Sequence, residues 1–173
     1  MSKKEYRRIA ETIIKKAPCN LLAFGTGRDS KLYLKPNRDG YTLFIEDQTQ
    51  WIEHAMDANP SINICQATYT TKQRHAHKYL KNRELIPDLD LLEDISNTHW
   101  DVIILDAPCG YALHCPSRVQ SIKAPAKLAP IGCDIFIHDC ERFVEKAFSD
   151  AFFKKSDLRD SYHRTRHYHI RGS

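Results

Sequence analysis

Four short apolar runs in this chain each stop abruptly at a glycine or a carboxylate. They are CNLLAFG (19–25), YTLFIED (41–47), DVIILDAP (101–108) and CDIFIHD (133–139). Runs of this length with no polar alternation fit strands buried on both faces of a parallel sheet. SINICQATY (61–69) is a weaker strand of the same kind, and the tail HRTRHYHI (163–170) alternates like a final strand. Between them the spacing predicts helices. Residues 4–16 carry Ile9, Ile13 and Ile14 and end before Pro18. Residues 51–57 are closed by Asn59-Pro60, and residues 117–128 read as a helix limited by Pro125. Residues 141–153 present Phe143, Val144, Ala147, Phe148 and Ala151 at helical spacing. Residues 72–97 are polar and mixed around Pro87 and read as a loop with a short helical piece. This alternation predicts an α/β fold, a mostly parallel central sheet flanked by helices. At 173 residues the chain makes one domain, residues 1–173, with an N-terminal helix in 1–17 and the core over 19–170.

Composition narrows the function classes. The 26 basic and 22 acidic residues leave a net charge of +4, a mild excess that does not predict a nucleic-acid partner. No run approaches the roughly 20 apolar residues that span a bilayer. The basic N-terminal stretch lacks the apolar core of a signal peptide, so a cytoplasmic protein is expected. There are six cysteines and no CxxC pair. Cys19, Cys65 and Cys133 lie in or beside strand-like runs, as small core residues do. No zinc ribbon and, in that compartment, no disulfide is expected.

In a parallel sheet the ligand sits beyond the carboxyl ends of the strands. Here those ends are Gly25, Glu46, Asp106 and Asp139. Gly25 and Gly27 open a turn that also carries Asp29, and Ser30 stands where a dinucleotide fingerprint would have its third glycine. Glu46 and Asp47 follow about twenty residues later, where an acid can accept the hydroxyl hydrogens of a ribose. Together they point to a nucleoside-bearing cofactor, NAD or S-adenosyl-L-methionine. The missing glycine favours the latter, which need not seat a pyrophosphate on a helix N-terminus. Asp106, His138 and Asp139 can serve as general base or bind a divalent cation through the two aspartates. Their bland alternatives are a cap on the turn after Asp106, a core histidine, and an N-cap for the helix beyond Asp139. Tyr111 follows Gly110 past Asp106 and is placed to line a pocket. The pairs His75/His77 and His167/His169 have ligand-like spacing but no carboxylate or cysteine partner nearby in sequence.

The ordered strings CNLLAFGTGRDS, TLFIED, HWDVIILDAPCGY, CPSRV and IFIHDCERFVEKAF resemble the glucuronoxylan 4-O-methyltransferase family over residues 19–170. The resemblance implies a Rossmann-like class I S-adenosylmethionine-dependent methyltransferase. It implies methyl transfer to a sugar hydroxyl of a glycan, assisted by a divalent cation. On that reading Gly25, Gly27, Asp29, Ser30, Glu46 and Asp47 bind S-adenosyl-L-methionine. Asp106, His138 and Asp139 are catalytic, Asp106 and Asp139 hold the metal, and Tyr111 and Arg118 meet the acceptor. Cys109 stands where the family carries a basic residue, which argues for a neutral sugar over a uronate, whose carboxylate wants a cationic partner. The rival functions are a carbohydrate-binding module that has lost chemistry and an NAD-dependent oxidoreductase. The second lacks a Tyr-x-x-x-Lys pair.

Overall fold

A computed structural model describes residues 1–172. The elements run α1 (Lys3–Lys16), β1 (Asn20–Phe24), α2 (Lys31–Leu34), β2 (Tyr41–Glu46), α3 (Thr49–Ala58) and β3 (Asn63–Gln66). Then come α4 (Ala76–Lys81), α5 (Glu93–Asn97), β4 (Val102–Leu105), α6 (Val119–Leu128), β5 (Asp134–Ile137), α7 (Phe143–Phe152), β6 (Leu158–Tyr162) and β7 (Thr165–His169). The seven strands form one sheet in the order β3-β2-β1-β4-β5-β7-β6. All neighbours up to β5 are parallel, and β7 enters antiparallel between β5 and β6.

The four apolar runs are the four central strands, and their uniform burial has a simple cause. Leu22, Phe24, Ile45, Leu105 and Ile137 face one core, closed by Trp100, Val119 and Ile122 of α6, and Val144 and Phe148 of α7. Leu21, Ala23, Phe44, Ile104 and Phe136 face a second core, closed by Ile9 and Ile13 of α1 and Tyr33 of α2. Alternate residues serve opposite faces, and both faces are covered. Ile9 and Ile13 are 1% and 0% exposed, each worth about 2 kcal/mol of burial. Ser2 starts α1 with a capping box: its hydroxyl accepts from Glu5 N, and the Glu5 carboxylate accepts from Ser2 N at 2.7 Å.

Two expectations change. The tail is a hairpin rather than a lone strand, because β6 precedes it. The turn uses His163 at φ +50, a left-handed residue with no glycine to announce it. The polar stretch 72–97 holds two short α-helices on either side of Pro87, and two 3₁₀ turns at Gln73–His75 and Arg83–Leu85, instead of one helical piece. No helix among the described residues is long and apolar enough to cross a membrane.

Candidate active site

The parallel register brings the strand ends to one level. Phe24 pairs with Ile45 on one side and Leu105 on the other, and Leu105 pairs with Ile137. The next residue on each strand is therefore in one row: Gly25, Glu46, Asp106, His138. Strand order reverses between β1 and β4, where the crevice of an open α/β sheet forms. A cleft of about 270 Å³ lies there, lined among others by Gly25, Asp47, Trp51, Asp106, Tyr111 and Arg142.

Gly25 adopts φ +104, and a Cβ there would sit 2.8 Å from the Ala107 Cβ. Only glycine lets the β1 turn pass this closely over the end of β4. Ser30 is buried, and its hydroxyl accepts from Gly27 N at 3.1 Å, so it closes the turn rather than facing a ligand. Asp29 accepts a short hydrogen bond from the Tyr6 hydroxyl of α1.

The two acids after β2 divide their tasks. Glu46 is 3% exposed. One of its oxygens accepts from Thr26 N and Oγ1, at 2.8 and 3.1 Å, and the other from Asp47 N and Gln48 N, both at 2.9 Å. A carboxylate has about four acceptor positions, so Glu46 is filled by its own loops and clasps β1 to β2. Asp47 beside it carries a buried Oδ1 with no partner. Burial, reinforced by Glu46, raises its pKa to about 6. An unpaired buried acceptor at this place suits a hydroxyl-bearing ligand such as a ribose, so the residues present fit a nucleoside cofactor.

Asp106 is the catalytic candidate that reaches the cleft, with its side chain 29% exposed. Burial raises its pKa to about 6 against the opposing pull of Arg118, whose Nη2 lies 3.3 Å from Oδ1. His138 and Asp139 lie behind it, 3% and 5% exposed. Asp139 has φ +62 and is not the cap of α7, a position that falls to Arg142. Its carboxylate is held by Arg118 at 3.1 Å, Arg142 at 2.9 Å and Arg164 at 2.6 Å. His138 Nδ1 is 3.0 Å from Thr165 Oγ1, whose hydroxyl donates to Glu5 at 2.9 Å. Burial, partly offset by Asp139, lowers the His138 pKa to about 4, which leaves a neutral imidazole. Glu5 is itself pushed up by burial. Hydrogen bonds from Ser2 and Thr165 and the nearby His138 outweigh that and hold it at about 2.

Asp106, His138 and Asp139 do place donor atoms within 4.8 Å of one another. The charges around them do not fit a resident divalent cation. Three guanidiniums already occupy Asp139, and a cation would have to displace them while lying among like charges. Arg118 is likewise spent. Nε donates to Pro108 O at 2.8 Å, Nη1 to His138 O and Nη2 to Asp106 O. At 5% exposure it braces the floor of the cleft and has no free face for an acceptor. The cation that does look outward is Arg142, 30% exposed at its side chain, which the sequence reading passed over inside the string HDCER. Glu145 is fully buried below, 3.8 Å from both Arg118 and Arg142, with neither oxygen hydrogen-bonded.

Cysteine chemistry also departs from expectation. Cys109 and Cys115 are paired in a disulfide with Cα atoms 6.0 Å apart. The tail histidines have an acid partner that sequence distance concealed: Asp134 lies 2.6 Å from His167 Nε2 and 3.2 Å from His169 Nδ1. Lys16 sits on its other oxygen at 2.8 Å, so this is a charge-balanced anchor and not a ligand pair. A larger groove of about 1010 Å³ runs between α2 and α3 and carries Arg28, Lys31, Lys35 and Arg38. It has no carboxylate, only His54 among these cations, and the carboxylates gather at the smaller cleft.

The IRX15/IRX15L/GXM family model matches residues 4–89 and 86–168. Glucuronoxylan 4-O-methyltransferase 2 of Arabidopsis thaliana is 34% identical over 176 residues, covering 90% of this chain and 61% of that protein. Arabinogalactan O-methyltransferase 1 of the same plant is 30% identical over 168 residues, covering 83% and 58%. The chain thus spans about three fifths of the length of these relatives. Among solved structures, a Staphylococcus aureus protein provisionally assigned as a caffeoyl-CoA O-methyltransferase superposes with TM-score 0.62 at 14% identity, over 99% of this chain and 85% of that one. A Salinibacter ruber RNA methyltransferase in complex with S-adenosyl-L-homocysteine gives 0.55 at 14% identity, over 100% and 94%. The fold is that of the class I S-adenosylmethionine-dependent methyltransferases.

Proposed function

The chain belongs to the IRX15/IRX15L/GXM family, and from that premise we propose that it transfers a methyl group from S-adenosyl-L-methionine to a sugar hydroxyl of a glycan. The single observation that carries the reading is the pairing, in one cleft, of an orphan acceptor and a carboxylate poised near neutrality. These are Asp47 Oδ1 and Asp106. When bound, S-adenosyl-L-methionine supplies an electrophilic methyl group on a sulfonium, which is a good leaving group. The Gly25 turn gives its backbone room to approach. Asp47 takes the ribose hydroxyls, and Glu46 holds the turn in place.

The protein's remaining work is alignment and proton removal. A sugar hydroxyl is a poor nucleophile until its proton has somewhere to go. Asp106 is ionised above pH 6 and is the basic group that faces the cleft, so it accepts that proton. His138 and Asp139 act from behind. Asp139 gathers Arg118, Arg142 and Arg164, and Arg118 in turn fixes the Asp106 main chain and carboxylate. Arg142 restores at the cleft the positive charge that Cys109 had removed from the expected pattern, so a uronate-bearing acceptor is compatible with the site.

The reading is tested by calorimetric titration with S-adenosyl-L-homocysteine, followed by transfer of a labelled methyl group to glucuronoxylan and to arabinogalactan. Micromolar binding and label in either polysaccharide are the expected results. Absence of S-adenosyl-L-homocysteine binding sinks the cofactor assignment. Binding without transfer to either polysaccharide sinks the acceptor assignment and favours the non-catalytic module.

A further inference from the structure

The rim of the cleft carries two exposed aromatic residues, Tyr111 at 76% and Trp51 at 39%. Tyr111 sits in the loop that Cys109 and Cys115 close at a sequence separation of 6. The far side of this loop is stitched to the segment before α4. Gln73 N donates to Cys115 O at 3.1 Å, Arg74 N to Leu113 O at 3.2 Å, and Ser117 N to Thr71 O at 3.2 Å. The near side has fewer ties: Pro108 O accepts from Arg118 Nε at 2.8 Å and Ala112 O from Cys115 N at 3.0 Å. Among the described residues, no backbone N–H from 109 to 114 reaches a backbone carbonyl. Gly110 rests on the buried Glu145, where a Cβ would come 3.0 Å from Oε1. Besides that contact, one backbone hydrogen bond, Cys115 N to Ala112 O at 3.0 Å, joins the two sides, and the disulfide is the covalent tie between them.

The other four cysteines are unpaired, and burial raises the thiols of Cys19, Cys133 and Cys140 to about 11, 12 and 12. They are protonated and inert at neutral pH. One bridge therefore stands alone in the chain, and it stands at the mouth of the active cleft.

We propose that the Cys109–Cys115 bridge is a positioning device that holds Tyr111 as a stacking face for the acceptor sugar ring, so that acceptor affinity follows the redox state of this pair while cofactor affinity does not. The proposal rests on the glycan methyltransferase reading. An aromatic ring offers a flat apolar surface to the C–H face of a sugar, and its hydroxyl remains free to hydrogen-bond. Pre-ordering the loop removes the entropy cost of fixing it when the sugar binds. Reduction by a dithiol or phosphine breaks the S–S bond, takes up two electrons and two protons, and leaves two thiols. The near side of the loop then loses its covalent tie, whereas the Gly25 turn and the Glu46 clasp keep their partners.

The test uses the full chain. Alkylation mapping by mass spectrometry under non-reducing conditions establishes the pairing, and hydrogen exchange reports the order of residues 109–115 with and without tris(2-carboxyethyl)phosphine. Steady-state methylation of glucuronoxylan or arabinogalactan is then compared for the oxidised protein, the reduced protein, a C109S/C115S double variant, Y111A and Y111F. Reduction and the double serine variant are expected to speed exchange in the loop. They should also raise the acceptor KM roughly fivefold or more, with a smaller change in kcat and an unchanged Kd for S-adenosyl-L-homocysteine. Y111A should raise KM similarly and be insensitive to reduction, while Y111F keeps most of the affinity. Free thiols at both positions, an acceptor KM unmoved by reduction, or a parallel loss of cofactor affinity would each overturn the proposal. Failure of the underlying reading shows itself separately, as absent cofactor binding or absent methylation of both polysaccharides by the oxidised protein.

Discussion

Replacing Asp106 with Asn should produce a protein that is inactive and more stable at neutral pH. Folding moves this carboxyl from an ordinary 3.8 to about 6, with burial as the dominant cause. Such a change corresponds to about 3 kcal/mol against the ionised folded state. Because the folded pKa is the higher one, the carboxyl's contribution to stability is full below the unfolded value. It is lost as pH rises through 6. Asn removes the charge and keeps an oxygen for Arg118, which now reaches Oδ1 at 3.3 Å. The shift is already net of the Arg118 attraction, and solvent screening at a side chain 29% exposed trims it to about 1–3 kcal/mol at pH 7. In a chain of this size that is roughly 2–10 °C in Tm. Below about pH 4 the wild-type carboxyl is protonated and the two proteins should melt together. Methyl transfer should fall about a hundredfold or more, the usual worth of a positioned base. Thermal unfolding of both proteins across this pH range, with label transfer at pH 7.5, decides it. A variant less stable than wild type at pH 7, or an advantage that persists unchanged at low pH, refutes the assignment of Asp106 as a strained carboxylate. Near-full activity refutes it as the base.

The other expectations concern the rest of the cleft. Asp47→Ala should weaken S-adenosyl-L-homocysteine binding about tenfold while not lowering Tm at pH 7, since it removes a carboxylate that burial and Glu46 disfavour, and calorimetry showing unchanged affinity would return the ribose to Glu46. Glu46→Gln sets an amide NH2 against at least one of its backbone donors and should lower Tm by several degrees, read by calorimetric melting; an unchanged Tm would show the clasp to be weak. Gly25→Ala forces a side chain into φ +104 and into Ala107, so loss of both stability and cofactor binding is expected; tolerated substitution, seen as native Tm and affinity, would contradict the close approach. Extensive dialysis against EDTA should leave the initial rate of methyl transfer unchanged, and strict restoration by an added divalent cation would show that the guanidiniums around Asp139 give way to a metal.

The central strands were readable because burial on both faces leaves no polar alternation. Runs such as Val102–Leu105 admit few other readings. Strand β6 was not readable: it is an edge strand whose residues Arg159 and Ser161 face solvent, so no periodic signal distinguishes it from a loop. The candidate site was found by strand ends, which is a one-dimensional rule. What it missed are relations across the fold. Glu5 and Thr165 meet over 160 positions because α1 packs on the same sheet face as the row containing His138. Arg142 and Arg164 converge on Asp139 from a helix cap and a hairpin turn, neither of which a linear motif marks. Glu46 occupies its expected place, but its four backbone and hydroxyl donors are set by loop conformation, which residue types alone do not specify. The disulfide was misjudged because compartment rules speak to averages, whereas a bridge depends on two Cβ atoms turning toward each other.

The arrangement explains why one carboxylate among several is available as a base. Four acids, Asp106, Asp139, Glu141 and Glu145, face three guanidiniums, Arg118, Arg142 and Arg164, so the cluster is close to balance in formal charge. The balance is uneven in space. Asp139 takes a contact from each guanidinium, Glu145 is left without a hydrogen bond, and Asp106 receives only the outer edge of Arg118. Had Asp106 met several guanidiniums at close range, its pKa would be driven down and it would be a weak base. Had it been enclosed like Glu145, it would be out of reach of a substrate. Partial burial with one guanidinium in contact gives a group that is ionised at neutral pH and still basic enough to take a hydroxyl proton. On this reasoning Arg118 is a tuning residue, and moving its charge should shift the pH–rate profile before it changes affinity for the acceptor. Arg118→Lys, which keeps the charge but cannot span Pro108, His138 and Asp106 together, should displace the acid limb of kcat/KM upward. An unshifted limb would mean that burial alone sets the base.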